Sequence, residues 1–183
     1  VSDYFNKKKT CMLIYNKNLS VCPITTHLPL KLVTKKINKK LIIEKAKLIN
    51  DFFKIKLKTK PKIALLGLNP HCESVLKSNE DKIILKSAVN FLKKKKLRIS
   101  GPHSADTAFL SQNRKKFDVI IGMYHDQVLT PIKTLFEYDA INITLGLPFI
   151  RISPDHGPNT KMLGKNKSNP LSLIKAIKFL EKN

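Results

Sequence analysis

The feature that most constrains the fold is an uncharged run from Ala140 to Ile150, which ends at Arg151. The run is rich in aliphatic and β-branched residues and contains a glycine and a proline near its end, a pattern typical of a strand covered on both faces. A strand of that kind needs helices on both sides of its sheet. We therefore expect a buried strand that leads into a loop carrying Asp155 and His156.

Segments typical of strands and of helices alternate along the rest of the chain. Short apolar runs predict strands at 11–15, 19–24, 62–67, 98–100 and 117–122. Apolar residues with a helical spacing predict helices at 38–56, 79–96, from about 127 to 136, and from Pro170, with Asn169 as the cap. This alternation predicts an α/β fold with a largely parallel sheet and flanking helices, in which ligands bind beyond the carboxyl ends of the strands. A loop rich in Ser, Pro, Gly and Asn after Arg151 predicts two segments, 1–150 and 151–183.

The formal net charge of +22 would ordinarily favour a nucleic-acid partner. Only three of the 35 basic residues are arginine, however, and the lysines come with many Ile and Asn residues, a mixture expected from AT-rich codons. Readers of bases and phosphates depend heavily on arginine. We expect no nucleic-acid partner, and a basic nucleic-acid-binding module stays open as an alternative.

The cysteines and the hydropathy bear on the cellular compartment in which the protein is expected. Three cysteines without a CxxC spacing indicate neither a disulfide framework nor a zinc ribbon, and they favour a reducing cytoplasm. No apolar run approaches the roughly 18 residues of a membrane span, so no membrane partner is expected. The chain begins with Val1, and we expect it to be a fragment that lacks an N-terminal half.

Three histidines each follow a predicted strand by a few residues: His27, His71 and His125. Because the carboxyl ends of parallel strands meet at one edge of a sheet, all three should project there. Neutral imidazoles gathered at one edge suit a divalent metal such as zinc, cobalt or nickel, and three protein ligands leave a position open for substrate. The alternative is that each is a hydrogen-bonded loop histidine.

Charged residues near these histidines are candidates for further roles. Asp126 and Asp106 could orient a ligand or accept a proton, or could cap helices, and for Asp126 capping is favoured. Lys133 lies about two helical turns after His125 and could reach the same edge. Arg151 is a candidate anion clamp or a structural arginine paired with a surface carboxylate.

Five motifs occur in the order found in the 4-hydroxythreonine-4-phosphate dehydrogenase family, which the chain resembles from about residue 10 to its end. They are Thr25-Thr-His-Leu-Pro-Leu30, Gly67-Leu-Asn-Pro-His71, Gly101-Pro-x-x-Ala-Asp-Thr107, Met123-Tyr-His-Asp-Gln127, and Asn142-Ile-Thr-Leu-Gly-Leu-Pro-Phe-Ile-Arg151 with Asp155-His-Gly157.

The resemblance implies an NAD(P)-dependent dehydrogenase that oxidises a phosphorylated hydroxy amino acid and then releases carbon dioxide, leaving 3-amino-2-oxopropyl phosphate. It implies that the three histidines bind a divalent metal (Zn, Co or Mg), with His125 supplied by the other subunit of a homodimer. It further implies that Lys133, Asn142 and Arg151 hold the substrate and its phosphate. Asp106 is the expected proton acceptor, with Lys133 as its competitor.

The loop from Asp155 to Gly164 also resembles the cofactor loop of the isocitrate and isopropylmalate dehydrogenases, which implies a fold of that kind. The cofactor-binding residues it implies are His156, Gly157, Lys161 and Asn169. Lys161 replaces an acid typical of NAD-preferring members, so it favours the 2′-phosphate of NADP, unless it is an ordinary solvent-exposed lysine.

Two enzymatic alternatives stay open. One is a sibling dehydrogenase that acts on a phosphorylated sugar acid, 4-phospho-threonate or erythronate, because no residue decides between an amine and a hydroxyl. The other is a metal hydrolase with three histidine ligands, which would need no nicotinamide.

Overall fold

The computed structural model describes residues 9–73, 79–157 and 160–182. Within these residues, seven strands form one sheet: β1 Cys11–Tyr15, β2 Ser20–Pro23, β3 Ile63–Leu66, β4 Ile99–His103, β5 Val119–Gly122, β6 Ile141–Leu145 and β7 Arg151–Pro154. The spatial order is β4-β3-β5-β2-β1-β6-β7.

Five of the seven strands run in the same direction. β4, β3, β5 and β2 are parallel neighbours, whereas β1 is antiparallel to both β2 and β6, and β7 is antiparallel to β6. β6 therefore has the direction of β2, and only β1 and β7 point the other way. The predicted α/β fold with a mostly parallel central sheet is confirmed.

Helices cover both faces of the sheet. They are α1 Leu30–Lys36, α2 Lys39–Ile55, α3 Lys86–Lys94, α4 Ala105–Ala108, α5 Ser111–Arg114, α6 His125–Phe136 and α7 Leu171–Lys182. α2, α3 and α7 bury apolar residues in the core on one face, while α6 packs Val128, Leu129 and Ile132 against the other. In the described part of the chain, no helix has the length and apolar character needed to cross a bilayer.

The predicted helix 38–56 shows why the sequence folds as it does. Asn38 caps α2 by accepting a hydrogen bond at 2.9 Å from the Leu41 N–H. Ile42, Ala46, Ile49 and Phe53 then form the buried stripe, and these four side chains join the core beneath β1 and β6. The α2 prediction is confirmed almost to the residue.

Two segments differ from their predictions. The predicted helix 79–96 begins with a π-helical turn, Asp81–Leu85, before α3 follows; this turn places the Asp81 carboxylate at the end of β3. The segment after Arg151, predicted as a loop, is strand β7, because its backbone pairs with that of β6 from Ile141 to Thr144. α7 packs Ala176 and Phe179 into the same core as α2. The predicted division of the chain into the segments 1–150 and 151–183 stays a prediction.

Candidate active site

The carboxyl ends of three neighbouring parallel strands carry the predicted metal ligands. β3, β5 and β2 lie side by side, and His71, His125 and His27 follow them respectively. The prediction that these histidines lie at one edge of the sheet is therefore confirmed by the topology. Their role as ligands stays a prediction.

His27 and His125 face each other, with 5.6 Å between their ring centroids. Two imidazoles bound to one zinc ion through nitrogens at about 2.1 Å place their centroids about 5 Å apart, so this pair fits a shared metal ion. The Nδ1 atom of His125 lies 2.6 Å from a carboxylate oxygen of Asp126, which leaves Nε2 for a ligand. Tyr124 occupies the N-cap position of α6, so the favoured prediction that Asp126 caps a helix is wrong.

His71 lies in a short 3₁₀ turn, Pro70–Cys72, that follows β3. Both His71 and Cys72 have left-handed backbones, with φ of 55° and 60°. Across the three described ranges, no three His, Cys, Asp or Glu side chains converge on one point as a complete metal site. The pair that one chain brings together is thus His27 with His125, whereas the resemblance assigns His27 and His71 to one subunit.

The predicted substrate residues Asn142 and Arg151 share one face of the β6–β7 pair. Thr144 lies directly opposite Arg151 and Ser153 opposite Asn142 in the antiparallel register, so all four side chains point to the face covered by α6. Arg151 Nη1 donates a hydrogen bond to the Thr144 hydroxyl at 2.7 Å. Among the described residues it pairs with no carboxylate, so the alternative of a structural ion pair is not seen.

Asn142 has a property that points to a ligand. Its Oδ1 atom is buried and, within the described residues, accepts no hydrogen bond. The great majority of buried polar atoms in proteins are hydrogen-bonded, and exceptions mark strain, function or an external partner. An N–H or O–H donor on a bound molecule would satisfy this oxygen.

Lys133 extends from α6 to the residue that follows β7. Its ammonium group donates to the backbone carbonyl of Asp155 and to the carboxylate, the latter at 3.2 Å. The Asp155 side chain is only 6% exposed, and burial raises its pKa although Lys133 and two histidines, His156 and His125, act in the opposite direction. The Ser172 hydroxyl completes this cluster by accepting from the Asp155 N–H at 2.8 Å and donating to the Ala140 carbonyl.

Asp106 lies in the first turn of α4, beside the His71 turn. A cavity of about 360 Å³ separates the two segments and is lined by His71, Cys72, Ser104, Thr107 and Lys116 among others. Burial raises the pKa of the Cys72 thiol, and the Asp81 and Asp106 carboxylates raise it further. Cys72 is therefore a poor nucleophile. Asp106 is exposed, and its neighbour Thr107 lines the cavity.

The predicted cofactor residues lie on the exposed side of the chain's last segment. His156 packs its ring edge-on against Tyr138, with 6.2 Å between centroids, and Gly157 follows it. Lys161 is exposed in a 3₁₀ turn, Thr160–Met162. Asn169 accepts a hydrogen bond from the Leu171 N–H at 2.9 Å, which confirms it as the cap of α7. Residues 158 and 159 of this loop lie outside the described residues.

Sequence reasoning missed Asp81, Gln127, Thr144 and Ser172, which hold the candidate residues in place. A signal existed for Thr144, because polar residues at 142 and 144 alternate with buried ones along β6. The other three depend on contacts between segments far apart in sequence.

Comparisons with known proteins agree with this arrangement. The family described as "Pyridoxal phosphate biosynthetic protein PdxA" matches residues 1–180. The 4-hydroxythreonine-4-phosphate dehydrogenase of Sulfurihydrogenibium sp. (strain YO3AOP1) is 49% identical over 175 residues, which is 94% of this chain and 53% of that protein. The enzyme of the same name from Xanthobacter autotrophicus (strain ATCC BAA-1158 / Py2) is 41% identical over 170 residues, 92% of this chain and 49% of its own length.

A solved structure supports the same likeness. The crystal structure of 4-hydroxythreonine-4-phosphate dehydrogenase from Klebsiella pneumoniae superposes with a TM-score of 0.83 at 31% identity, covering 98% of this chain and 55% of that one. The chain thus spans about half the length of the curated relatives it matches.

Proposed function

Because this chain belongs to the pyridoxal phosphate biosynthetic protein PdxA family, we propose that it carries the metal and substrate site of an NAD(P)-dependent 4-hydroxythreonine-4-phosphate dehydrogenase. The reaction oxidises the hydroxyl of 4-phosphohydroxy-L-threonine to a ketone, and the resulting β-keto acid loses carbon dioxide to leave 3-amino-2-oxopropyl phosphate. The product serves pyridoxal phosphate biosynthesis. We place the enzyme in the cytoplasm.

The observation that carries the proposal is the Asn142 oxygen, which no described residue pairs, on the same face of the sheet as Arg151. The guanidinium of Arg151, oriented by Thr144, suits two oxygens of a phosphate. Lys133 adds a second positive charge from α6, and the Asn142 oxygen accepts a hydrogen bond from the substrate's ammonium or hydroxyl group. A phosphorylated hydroxy amino acid satisfies all three groups.

His27, His71 and His125 would hold the divalent metal ion, and the contact between His125 and Asp126 would fix the ring that binds it. When bound, the ion supplies Lewis-acid stabilisation of negative charge on the substrate's oxygen. The protein's own part is to present neutral imidazoles at the sheet edge and to leave a position open for substrate.

Asp106 is the proposed acceptor of the hydroxyl proton, because its carboxylate is exposed and lies close enough to Cys72, the neighbour of His71, to raise the pKa of that thiol. Lys133 is the competing candidate. The nicotinamide of NAD or NADP takes the hydride. His156, Gly157, Lys161 and Asn169 are the proposed contacts to the dinucleotide, with the Lys161 charge favouring a 2′-phosphate.

The test is nicotinamide reduction with 4-phosphohydroxy-L-threonine, measured on this chain alone and on this chain fused to the part of the Sulfurihydrogenibium relative that it does not match. Reduction that a chelator abolishes and that added Co²⁺ or Zn²⁺ restores would support the proposal. Reduction only with 4-phospho-threonate or erythronate would show that the substrate is a phosphorylated sugar acid instead. Hydrolysis of the substrate without nicotinamide would show that the chain is a metal hydrolase and not a dehydrogenase.

We also propose that the enzyme is a homodimer whose site takes His27 and His71 from one subunit and His125 from the other. Mixing His27→Ala and His125→Ala chains tests this directly. With shared sites, a mixed dimer contains one site with both substitutions and one intact site, so activity returns. With sites inside one chain, every site carries one substitution and the mixture stays inactive.

A further inference from the structure

The side chain of Gln127 connects the ends of two strands that precede candidate metal ligands. Its Nε2 donates a hydrogen bond to the Gly67 carbonyl at the end of β3, at 2.8 Å. Its Oε1 accepts from the Met123 N–H just after β5, at 2.6 Å. Gln127 itself lies in the first turn of α6, two residues after His125. One amide group thus ties the turn that carries His71 to the turn that carries His125.

A buried carboxylate holds the same end of β3 from the other side. Asp81 is 1% exposed and accepts hydrogen bonds from the Leu68 N–H at 2.7 Å and from the Asn69 N–H at 3.1 Å. It also accepts from Nδ2 of Asn69 at 2.7 Å. Asn69 is two residues before His71, so these bonds fix the backbone from which the 3₁₀ turn begins.

The conformation of the turn needs such support. Left-handed backbones at two consecutive residues other than glycine are unfavourable, and they persist only where the surroundings impose them. Strained residues of this kind cluster at functional sites. His71 and Cys72 are held by Asp81 on one side and, through Gly67, by Gln127 on the other.

Glycines make room for both polar side chains. A Cβ atom on Gly67 would lie 2.9 Å from Oδ1 of Asp81, and one on Gly122 would lie 2.9 Å from Oε1 of Gln127 and 2.5 Å from a methyl carbon of Val128. The strand ends are therefore shaped to admit these two groups.

We propose that Gln127 and Asp81 form a polar clamp that positions the His71 turn relative to His125 and thereby sets the affinity of the metal site. Both are positioning residues, since they act through the backbone of the ligand-bearing turns. This inference rests on the proposed role of His71 and His125 as ligands. If His125 completes the partner's site, the clamp fixes the His71 turn of its own site through Gly67 and the His125 turn of the partner's site through Met123.

The test is Co²⁺ binding by this chain, measured by competition with a chelating dye and by the visible absorption spectrum of the bound ion. Gln127→Glu keeps the size of the side chain and the acceptor for Met123, but it places a carboxylate oxygen against the Gly67 carbonyl. We expect Co²⁺ affinity to fall about 10–100-fold, as for other groups that orient ligands, and the absorption bands to change. Asp81→Asn should have an effect of the same direction.

The matched control is Gln112→Glu, which makes the same change at an exposed position of α5 and should leave affinity and spectrum unchanged. Gln127→Met, which removes both hydrogen bonds without adding charge, serves if Gln127→Glu fails to fold, and thermal melting of the metal-free variants identifies such failure.

The clamp proposal is wrong if folded Gln127 and Asp81 variants keep the wild-type Co²⁺ affinity and spectrum while His71→Ala still weakens binding. In that case the proposed ligand set stands. If His71→Ala binds Co²⁺ like the wild type, the proposed ligand set fails, and the function of the clamp fails with it.

Discussion

Replacing Gly101 with alanine should destabilise the protein strongly, because two separate effects meet at this residue. Gly101 lies in β4 with φ of +134°, a region open essentially to glycine alone. A Cβ atom there would lie 2.4 Å from the Leu65 carbonyl oxygen and 3.1 Å from the Leu65 Cβ. Leu65 is fully buried and paired with β5, so its backbone cannot move aside cheaply.

The two effects give a magnitude. The backbone strain costs about 1–3 kcal/mol, and forcing an extra carbon into a packed site costs about 1–3 kcal/mol more. Gly101→Ala should therefore lower the free energy of unfolding by about 2–6 kcal/mol. Gly164→Ala shares the positive φ, at +73°, but its Cβ would meet no described atom within 4 Å, so only strain of about 1–2 kcal/mol remains.

Gly157→Ala is the neutral control, since this glycine has neither a positive φ nor a described atom within 4 Å of the new Cβ. Its free energy of unfolding should stay within about 0.5 kcal/mol of the wild type. Urea unfolding and thermal melting measure all three variants, with about 2–4 °C of melting temperature per kcal/mol at this size. Equal losses for Gly101→Ala and Gly164→Ala would show that the approach to Leu65 contributes nothing and would refute the reasoning.

Two further predictions concern the substrate face. Thr144→Val removes the hydroxyl that accepts a hydrogen bond from Arg151 and orients it, and a hydrogen bond to a charged group is worth about 1.5–3 kcal/mol. The kcat/KM of the fused enzyme should therefore fall about 10–100-fold, mainly through a higher KM. Thr59→Val, at an exposed position, is the control, and an unchanged KM for Thr144→Val would contradict the prediction. Burial raises the pKa of Asp155, so the stability contributed by its protonated form is present below about pH 4 and is lost as pH rises through the raised pKa. Asp155→Asn should therefore gain stability relative to the wild type between pH 4 and 7 in thermal melts, and a relative loss would contradict the assignment.

The strands and long helices could be predicted because their signals are local. The runs at 62–67 and 117–122 are short and apolar, and the stripe of α2 has the spacing that a helix face requires. Parallel strands follow from alternation with helices, and a common edge for their carboxyl ends follows from parallel strands. The position of His27 beside His125 is thus a consequence of patterns readable in the sequence.

The features that could not be predicted depend on partners distant in sequence. β7 is only four residues long and ends in proline, so its strand character comes from pairing with β6 and not from its own propensity. The π-helical turn at Asp81 accompanies hydrogen bonds to residues 12 and 13 positions earlier. Neither composition nor periodicity carries that information, so the clamp residues had no visible signal.

The Lys133–Asp155 pair shows how the fold and the site make different demands. A raised pKa means that the folded protein disfavours the carboxylate, even with the ammonium of Lys133 beside it. An amide of the same shape would keep the hydrogen bond from Lys133 and avoid the cost of burying charge, so stability alone does not call for an aspartate. What the carboxylate adds is a negative charge, which holds the half-exposed ammonium group of Lys133 more strongly than a neutral amide would. If Lys133 binds the phosphate, Asp155→Asn should raise the KM for substrate in the same variant that gains stability at neutral pH. A higher stability together with a higher KM in Asp155→Asn would show that Asp155 contributes to substrate binding and not to the stability of the fold.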